Sequence, residues 1–196
     1  MTFIPHPLVL TGSKVTLKPM EAYCFEGIWQ VANDARIWEF TSQKLNNREL
    51  YFAHLENALK KRATGDVYQL VIEDTKTKTF IGSTMFHSIV PENRKLEIGW
   101  TWYRPEYMRT GCNRECKLLM LTYCFETLLL KRVQFQIDEL NKPSWNALLG
   151  IGATFEGIIR HERMRPDGTC RNTAMFSVID TEWVAVKQNL VSKIIL

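Results

Sequence analysis

Long apolar runs are missing from this 196-residue chain: none approaches the ~18 residues that a membrane-spanning helix needs. Blocks of one charge are missing as well. The formal net charge is +4, from 25 basic and 21 acidic residues. No run of five or more Lys/Arg occurs, so nothing points to a nucleic-acid surface, and the mild basic excess suits an anionic small ligand. Cysteine is sparse and odd in number, five in all, with no C-x-x-C pair and no histidine near Cys112, Cys116 or Cys124. That excludes a disulfide scaffold, argues against zinc and fits a reducing compartment, with these cysteines as buried small hydrophobes; for Cys112, next to Gly111 at a helix N-terminus and near Arg109 and Arg114, the other reading is an accessible thiol of lowered pKa that a ligand on this loop would cover. The four histidines are scattered, and His161 in RHERMR reads as a solvated face rather than a base. The opening MTFIPHPLVL has no basic region, and Pro5 and Pro7 interrupt its apolar residues, so it does not read as a signal peptide; a cytoplasmic protein away from membranes is the expectation. Two nucleotide motifs are absent. No G-x-x-x-x-G-K-[ST] occurs, and GIGATFEG (Gly150–Gly157) follows a helix and leads into a strand, the reverse of a dinucleotide fold; it suits a helix C-cap at Gly150 or Gly152.

What is present is an ordinary globular balance, 45% hydrophobic and 23% charged. There is no repeat, low-complexity tract or linker, so one domain over residues 1–196 is expected. Short strands read at Leu8–Leu10 and Val15–Lys18, around a turn at Gly12. A helix follows Pro19, from Met20 to Asn33, with Ile28, Trp29 and Val31 on it. Asn46 and Glu49 have capping-box spacing, opening a helix that runs to Ala63. Val67–Glu73, Phe80–Ile89 and Lys95–Tyr103 read as a meander through the turns DTKTKT and PENR. A helix over Asn113–Leu129 follows, then a strand at Arg132–Asp138 and a short helix from Pro143 to about Leu149. Thr154–Ile159 and Thr173–Ile179 close the list, joined by RPDGT. The βαβ unit from Lys95 to Asp138 implies a parallel strand pair.

The stretch IGWTWYRPEYMRTGCNRECKLLM (Ile98–Met120) begins as a strand and ends as a helix. Between them lie Thr110 and Gly111, near Arg109, Arg114 and Lys117. A helix N-terminus presents unpaired N–H groups and the positive end of its dipole. Gly111 would let phosphate oxygens approach them, and Arg109 and Arg114 would add charge-assisted contacts. The plain alternative is a turn glycine with solvated arginines.

MRTGCN in this order of elements resembles the acyl-CoA pyrophosphate loop of the GNAT superfamily of N-acyltransferases, Gln/Arg-x-x-Gly-x-Gly/Ala. The longer stretch is similar to the branch holding the ribosomal-protein N-terminal (alanine/serine) acetyltransferases. ARIWEF, FIGSTMF, LEIGW, NKPSWNALLGIGA and MRPDGTCRNTAMFSVIDTEW extend the likeness along nearly the whole chain. Met108 stands where Gln, Arg or an aromatic residue is usual, Asn113 replaces the second small residue, and Cys116 replaces an alanine. The resemblance implies an α/β (α+β) fold with a mixed, mostly antiparallel sheet of about seven strands, a central parallel pair and about four flanking helices.

It also implies acetyl-CoA as co-substrate, with no metal, and a primary amine as acceptor, either a protein N-terminus or a small molecule, on a monomer or homodimer. Thr101, Trp102 and Tyr103 would pair with the pantetheine arm. Arg109, Thr110, Gly111, Cys112, Asn113 and Arg114 would hold the pyrophosphate. Asn141 and Ser144 match an N-x-x-S pattern, in which Asn contacts pantetheine and Ser lies near the thiol as proton donor. Glu97 matches a position that carries the general base in some members. Acyl transfer needs a neutral amine, a polarised carbonyl and a protonated leaving group, and a carboxylate and strand amides can supply the first two. Trp38, Tyr51 and Trp102, with Trp29, are candidates for the acceptor pocket. Plainer readings stand beside these: Glu97 as a polar residue in the alternation KLEIG, Ser144 as a cap, Asn141 as a turn residue and the aromatics as core. A non-catalytic acyl-CoA-binding module of the same fold is the alternative to an enzyme.

Overall fold

Alternating apolar residues line one face of each central strand, and the computed structural model builds them into a single mixed sheet. It describes residues 3–39, 41, 43–165 and 167–195. Phe40 of ARIWEF, Pro166 of RPDGT and the first two residues of MTFIPHPLVL therefore lie outside the described residues. The strands are β1 (Leu10–Thr11), β2 (Val15–Pro19), β3 (Val67–Asp74), β4 (Phe80–Val90), β5 (Lys95–Tyr103), β6 (Arg132–Asp138), β7 (Thr154–Met164) and β8 (Cys170–Ile179). Their spatial order is β1-β2-β3-β4-β5-β6-β8-β7, and among the described residues only β5 and β6 pair in parallel. This is the expected mixed, mostly antiparallel architecture, with eight strands among the described residues where about seven were expected.

The helices are α1 (Phe25–Ala32), α2 (Arg48–Thr64), α3 (Cys112–Thr122), α4 (Lys142–Ile151) and α5 (Trp183–Ile195). The fifth exceeds the expected four. It begins in VIDTEW, where no Ser/Asn–x–x–Glu pattern announces it, and it holds on by burying Trp183, Val186 and Leu190. The cap of α2 lies one residue later than the spacing suggested: Asn47, not Asn46, accepts hydrogen bonds from the amides of Glu49 and Leu50 (2.9 and 3.2 Å). The helix expected from Met20 to Asn33 is divided, with a 3₁₀ turn at Ala22–Cys24 ahead of α1. The one expected over Asn113–Leu129 starts at Cys112 and loosens into a π-turn at Tyr123–Thr127. Gly152, at φ 90°, is the C-cap of α4.

Two apolar layers follow from the strand period. Leu70 and Ile72 of β3, Leu96 and Ile98 of β5, and Phe176 of β8 face α3, α4 and α5. Val71 of β3 and Trp102 of β5 face α1 and α2. On β6 and β8 the face alternating with the apolar one is mostly polar: Gln134, Gln136 and Asp138, then Arg171, Thr173 and Ser177, with Met175 opposite Gln136. That polar stretch, running on from the last residues of β5, is where the candidate site lies.

Candidate active site

The glycine at the head of α3 is required by its backbone. Gly111 has φ 91°, the left-handed region that costs other residues energy, and among the described residues no side chain caps the first amides of α3. One turn on, Glu115 is buried and turned back to the β1–β2 loop. Its Oε1 accepts from the Ser13 amide (2.9 Å) and hydroxyl (2.6 Å), and its Oε2 from the amides of Lys14 and Val15 (2.7 Å each). Gly12 leaves room for this, since a Cβ there would lie 2.5 Å from the carboxylate. The tie brings Lys14 over Gly111, its Cε 3.4 Å from where a Cβ would stand. A cavity of about 350 Å³ opens beside it, lined by Lys14, Lys76, Thr110 and Cys112 and by the carboxylates Asp74 and Glu106.

The other loop residues are placed as follows. Arg109 is exposed at φ 62°. Thr110 donates its hydroxyl to the Tyr107 carbonyl (2.7 Å). Asn113 is half-buried, and Arg114 is exposed, reaching the Lys193 carbonyl of α5 at 3.4 Å. Cys112 is buried. Lys117 does not join the surface cations grouped with it in the sequence. It is 4% exposed and donates instead to Thr101 Oγ1 on β5 (2.7 Å), and burial pulls its ammonium below the ordinary lysine range.

Strands β5 and β6 pair only through Lys95–Arg132, Leu96–Val133 and Glu97–Gln134. Beyond Glu97 they diverge. A bulge contributes to this: Trp100 has φ 50°, and the register with β4 slips between Met85–Gly99 and Ser83–Trp102. Thr101 lies half-buried past the bulge, its hydroxyl bonded to Thr84 (2.7 Å), while Trp102 and Tyr103 turn their side chains into the core. The backbone from Ile98 to Tyr103 on the β6 side thus has no strand partner among the described residues.

Glu97 sits where the two strands part. It is 3% exposed, accepts from Gln134 Nε2 (3.1 Å) and lies 3.4 Å from His87 Nε2. Burial pushes its carboxyl up to about 7, against the hydrogen bond from Gln134 and the positive charges of Arg163 and Arg171. Burial acts oppositely on His87, pulling it down to about 4, so at neutral pH the imidazole is uncharged and its approach to Glu97 is a polar contact rather than an ion pair. His87 also lines a cavity of about 570 Å³, with His54, Met85 and Trp100 among its walls and Lys44 and Lys61 at its rim.

Trp38 and Tyr51 lie elsewhere than a pocket reading requires. Both are fully buried and pack against each other (ring centroids 5.8 Å apart) and against Trp102 (5.7 and 6.4 Å) in the apolar layer under α1 and α2. The aromatic walls of the cavity are Trp100 and His54, 4.8 Å apart. Trp100 reaches that wall through its bulge, which sequence periodicity does not announce. Asn141, not Ser144, caps α4: its Oδ1 accepts from the Ser144 amide (3.0 Å), and Ser144 is left half-buried at the first turn. Lys14, His87, Arg163 and Arg171 were not singled out for this site in the sequence. Each comes from a strand or loop distant in the chain, with no motif of its own. Among the described residues, no group of His, Cys, Asp or Glu is placed to hold a metal, and no helix is long and apolar enough to cross a membrane.

A family model described as an acetyltransferase (GNAT) domain matches residues 14–154. The chain is 32% identical over 108 residues to YoaA of Bacillus subtilis (strain 168), described as an uncharacterized N-acetyltransferase; the match covers 55% of this chain and 60% of YoaA, less than two thirds of that relative's length. A GCN5-related N-acetyltransferase from Brucella melitensis superposes with a TM-score of 0.87 at 26% identity, over 96% of this chain and 86% of the other. RimJ of Mycobacterium smegmatis, solved in complex with CoA-disulfide, shares the fold at a TM-score of 0.83 and 17% identity, over 96% of this chain and 95% of its own.

Proposed function

Because the chain belongs to the GNAT acetyltransferase family, we propose that it moves an acetyl group from acetyl-CoA to a primary amine by direct attack. The observation that carries this reading is the buried carboxyl of Glu97, pushed up to about 7 at the point where β5 and β6 part. A base of that strength is half ionised near neutral pH, where proton transfer from an ammonium is best matched.

Thr101, Trp102 and Tyr103 offer backbone groups to the pantetheine arm. Lys14, Arg109 and the first amides of α3 suit the pyrophosphate. Cys112 and Asn113 lie at the same turn, and Arg114 stands on the solvent side of it. Glu97 takes the proton of the acceptor ammonium, through water or with His87 as neighbour. The amine nitrogen then bonds to the thioester carbonyl carbon while strand amides hold the oxyanion. The C–S bond breaks, and the thiolate takes a proton, for which Ser144 at the head of α4 is the candidate donor. The acceptor enters from the cavity that His87, His54 and Trp100 line. Trp38, Tyr51 and Trp102 support that wall from beneath.

The test is release of CoA thiol in the presence of a panel of amines, including short peptides and small amines. Glu97→Gln should lower the rate at pH 7 by about 10²-fold or more and flatten the acid limb that the parent shows near pH 7, with acetyl-CoA affinity little changed. An unaltered pH–rate profile assigns the base elsewhere. Binding of acetyl-CoA with no thiol release on any amine leaves a binding module.

A further inference from the structure

Most charged side chains on the polar face beyond Glu97 are matched. Asp138, itself buried, takes the Arg165 fork through Nε (2.8 Å) and Nη2 (2.9 Å), and its Oδ1 also accepts from the Leu140 amide (2.9 Å). Glu162 Oε2 accepts from Arg163 Nε (2.8 Å) and the Thr173 hydroxyl (2.9 Å), and Arg163 reaches Gln136 Oε1 (3.2 Å). A bulge in β7 makes this arrangement. Ile159 faces Thr173 and Arg163 faces Arg171, so three residues of β7 stand against Asn172 alone, with His161 at φ 51°.

Arg171 is the exception. The residue is 6% exposed, its Nε is buried with no hydrogen-bond partner among the described residues, and the two carboxylates whose charge acts on it, Asp138 and Glu162, are engaged by Arg165 and by Arg163 with Thr173. A guanidinium stays charged and carries five donors in a rigid fork shaped for a carboxylate. Burying one with no carboxylate bonded to it is costly, even with Asp138 and Glu162 near enough for their charge to act. Arg171 also lies on the face of Glu97, near enough that its charge acts on that carboxyl.

We propose that Arg171 receives an anionic group, a carboxylate, of the acceptor whose amine is deprotonated at Glu97. The inference rests on the acetyl-transfer reading above and narrows its acceptor to an amine bearing a carboxylate. The strand register sets the spacing. Glu97 pairs with Gln134, which pairs with Ser177, and Arg171 lies six residues back along β8, roughly 20 Å at the Cα level. With the amine in direct contact with Glu97 and the acid in direct contact with Arg171, an amine and carboxylate on adjacent carbons fall short of that separation. The acceptor is therefore extended, with several bonds between its amine and its acid. An ω-amino acid has this form, and so does a peptide N-terminus followed by an acidic side chain.

The test does not depend on turnover. Calorimetry on the full chain saturated with CoA compares glycine, 4-aminobutyrate and 5-aminopentanoate with their amides, and peptides carrying Asp second with those carrying Asn. One of the longer carboxylates, or the Asp peptide, should bind roughly 10- to 100-fold more tightly than its amide, and glycine should show no gap. Arg171→Met should erase the gap while leaving the melting temperature unchanged or higher, because it removes a buried unmatched charge. Should Arg171→Met fail to fold, Arg171→Lys decides, retaining the charge and part of the gap. A gap confined to free amino acids identifies a small-molecule acceptor, and one shared by the Asp peptide identifies a protein N-terminus. Equal affinity of acids and amides in the parent, or a gap that survives in Arg171→Met, overturns the proposal. Absence of thiol release with every amine would defeat the acetyl-transfer reading and leave this binding result to stand or fall by itself.

Discussion

At the scale of a residue, the burial of Glu97 ties stability to pH with a definite sign. Its carboxyl moves from an ordinary 4.5 up to about 7 because burial disfavours the charged form. Between those values the folded protein keeps a proton that the unfolded chain has released. The contribution to stability is therefore present below about pH 4.5 and lost as pH rises through 7. The shift corresponds to roughly 3 kcal/mol. Glu97→Gln removes it, so the variant should gain up to about 3 kcal/mol on its parent between pH 4.5 and pH 8. His87 has the opposite trend, since its burial as a neutral ring favours folding above its unfolded pKa and is lost as pH falls through about 4; comparing variant with parent at each pH removes that background. Urea unfolding of both proteins at the two ends of the range measures the difference. A constant difference would mean that Glu97 ionises in the folded state as it does in the unfolded one. LEIGW singles out the position of Glu97 in the sequence, but the alternation there does not announce that the carboxyl is buried. Its partners were not, because His87, Gln134 and Arg163 meet it only through strand register.

At the scale of an element, α3 is held by its own first turn. Glu115 gathers three backbone amides and one hydroxyl from the β1–β2 loop, and the same contact sets Lys14 beside Gly111. Glu115→Ala should leave those donors without their acceptor, costing about 2–4 kcal/mol in urea unfolding, and should weaken acetyl-CoA binding in calorimetry as Lys14 loses its place. Gly111→Ala is the control for backbone alone: its positive φ should cost about 1–2 kcal/mol without disturbing the Glu115 contacts. If Glu115→Ala kept full affinity, Lys14 would have no part in binding the anion. The strand–glycine–helix junction was visible in MRTGCNREC because glycine and helix periodicity are local signals. The Glu115 tie was hidden, since it joins residues about a hundred positions apart. The same distinction explains Trp38 and Tyr51. Their aromatic character was plain in the sequence, but only the packing of α1 and α2 on β3 and β5 decides that they face inward.

At the scale of the molecule, the architecture was largely written in alternation and turn residues, whereas the length of β7 and the presence of α5 were not. β7 continues through RHERM by means of a bulge, and α5 is fastened by Trp183 on Phe125, 5.3 Å between ring centroids, and by the bond from its indole to Glu126 (2.8 Å). The two apolar layers share one sheet: Leu70 and Ile72 serve one layer while Val71, between them, serves the other. Neither layer can lose its strands without exposing the other, so the chain should unfold in one step despite having two cores. The cysteines report on both. Cys24 lies in the layer under α1 and α2, Cys116 and Cys124 in the layer under α3, and Cys170 is exposed. Pulsed alkylation along a urea series should label Cys170 throughout and should label Cys24 and Cys116 with one common midpoint. Cys112, buried beside Gly111, should follow the same midpoint rather than react in the native protein. Two midpoints, with Cys24 labelled first, would mean that α1 and α2 leave the sheet as a unit and that the apolar layer beneath them opens separately from the rest.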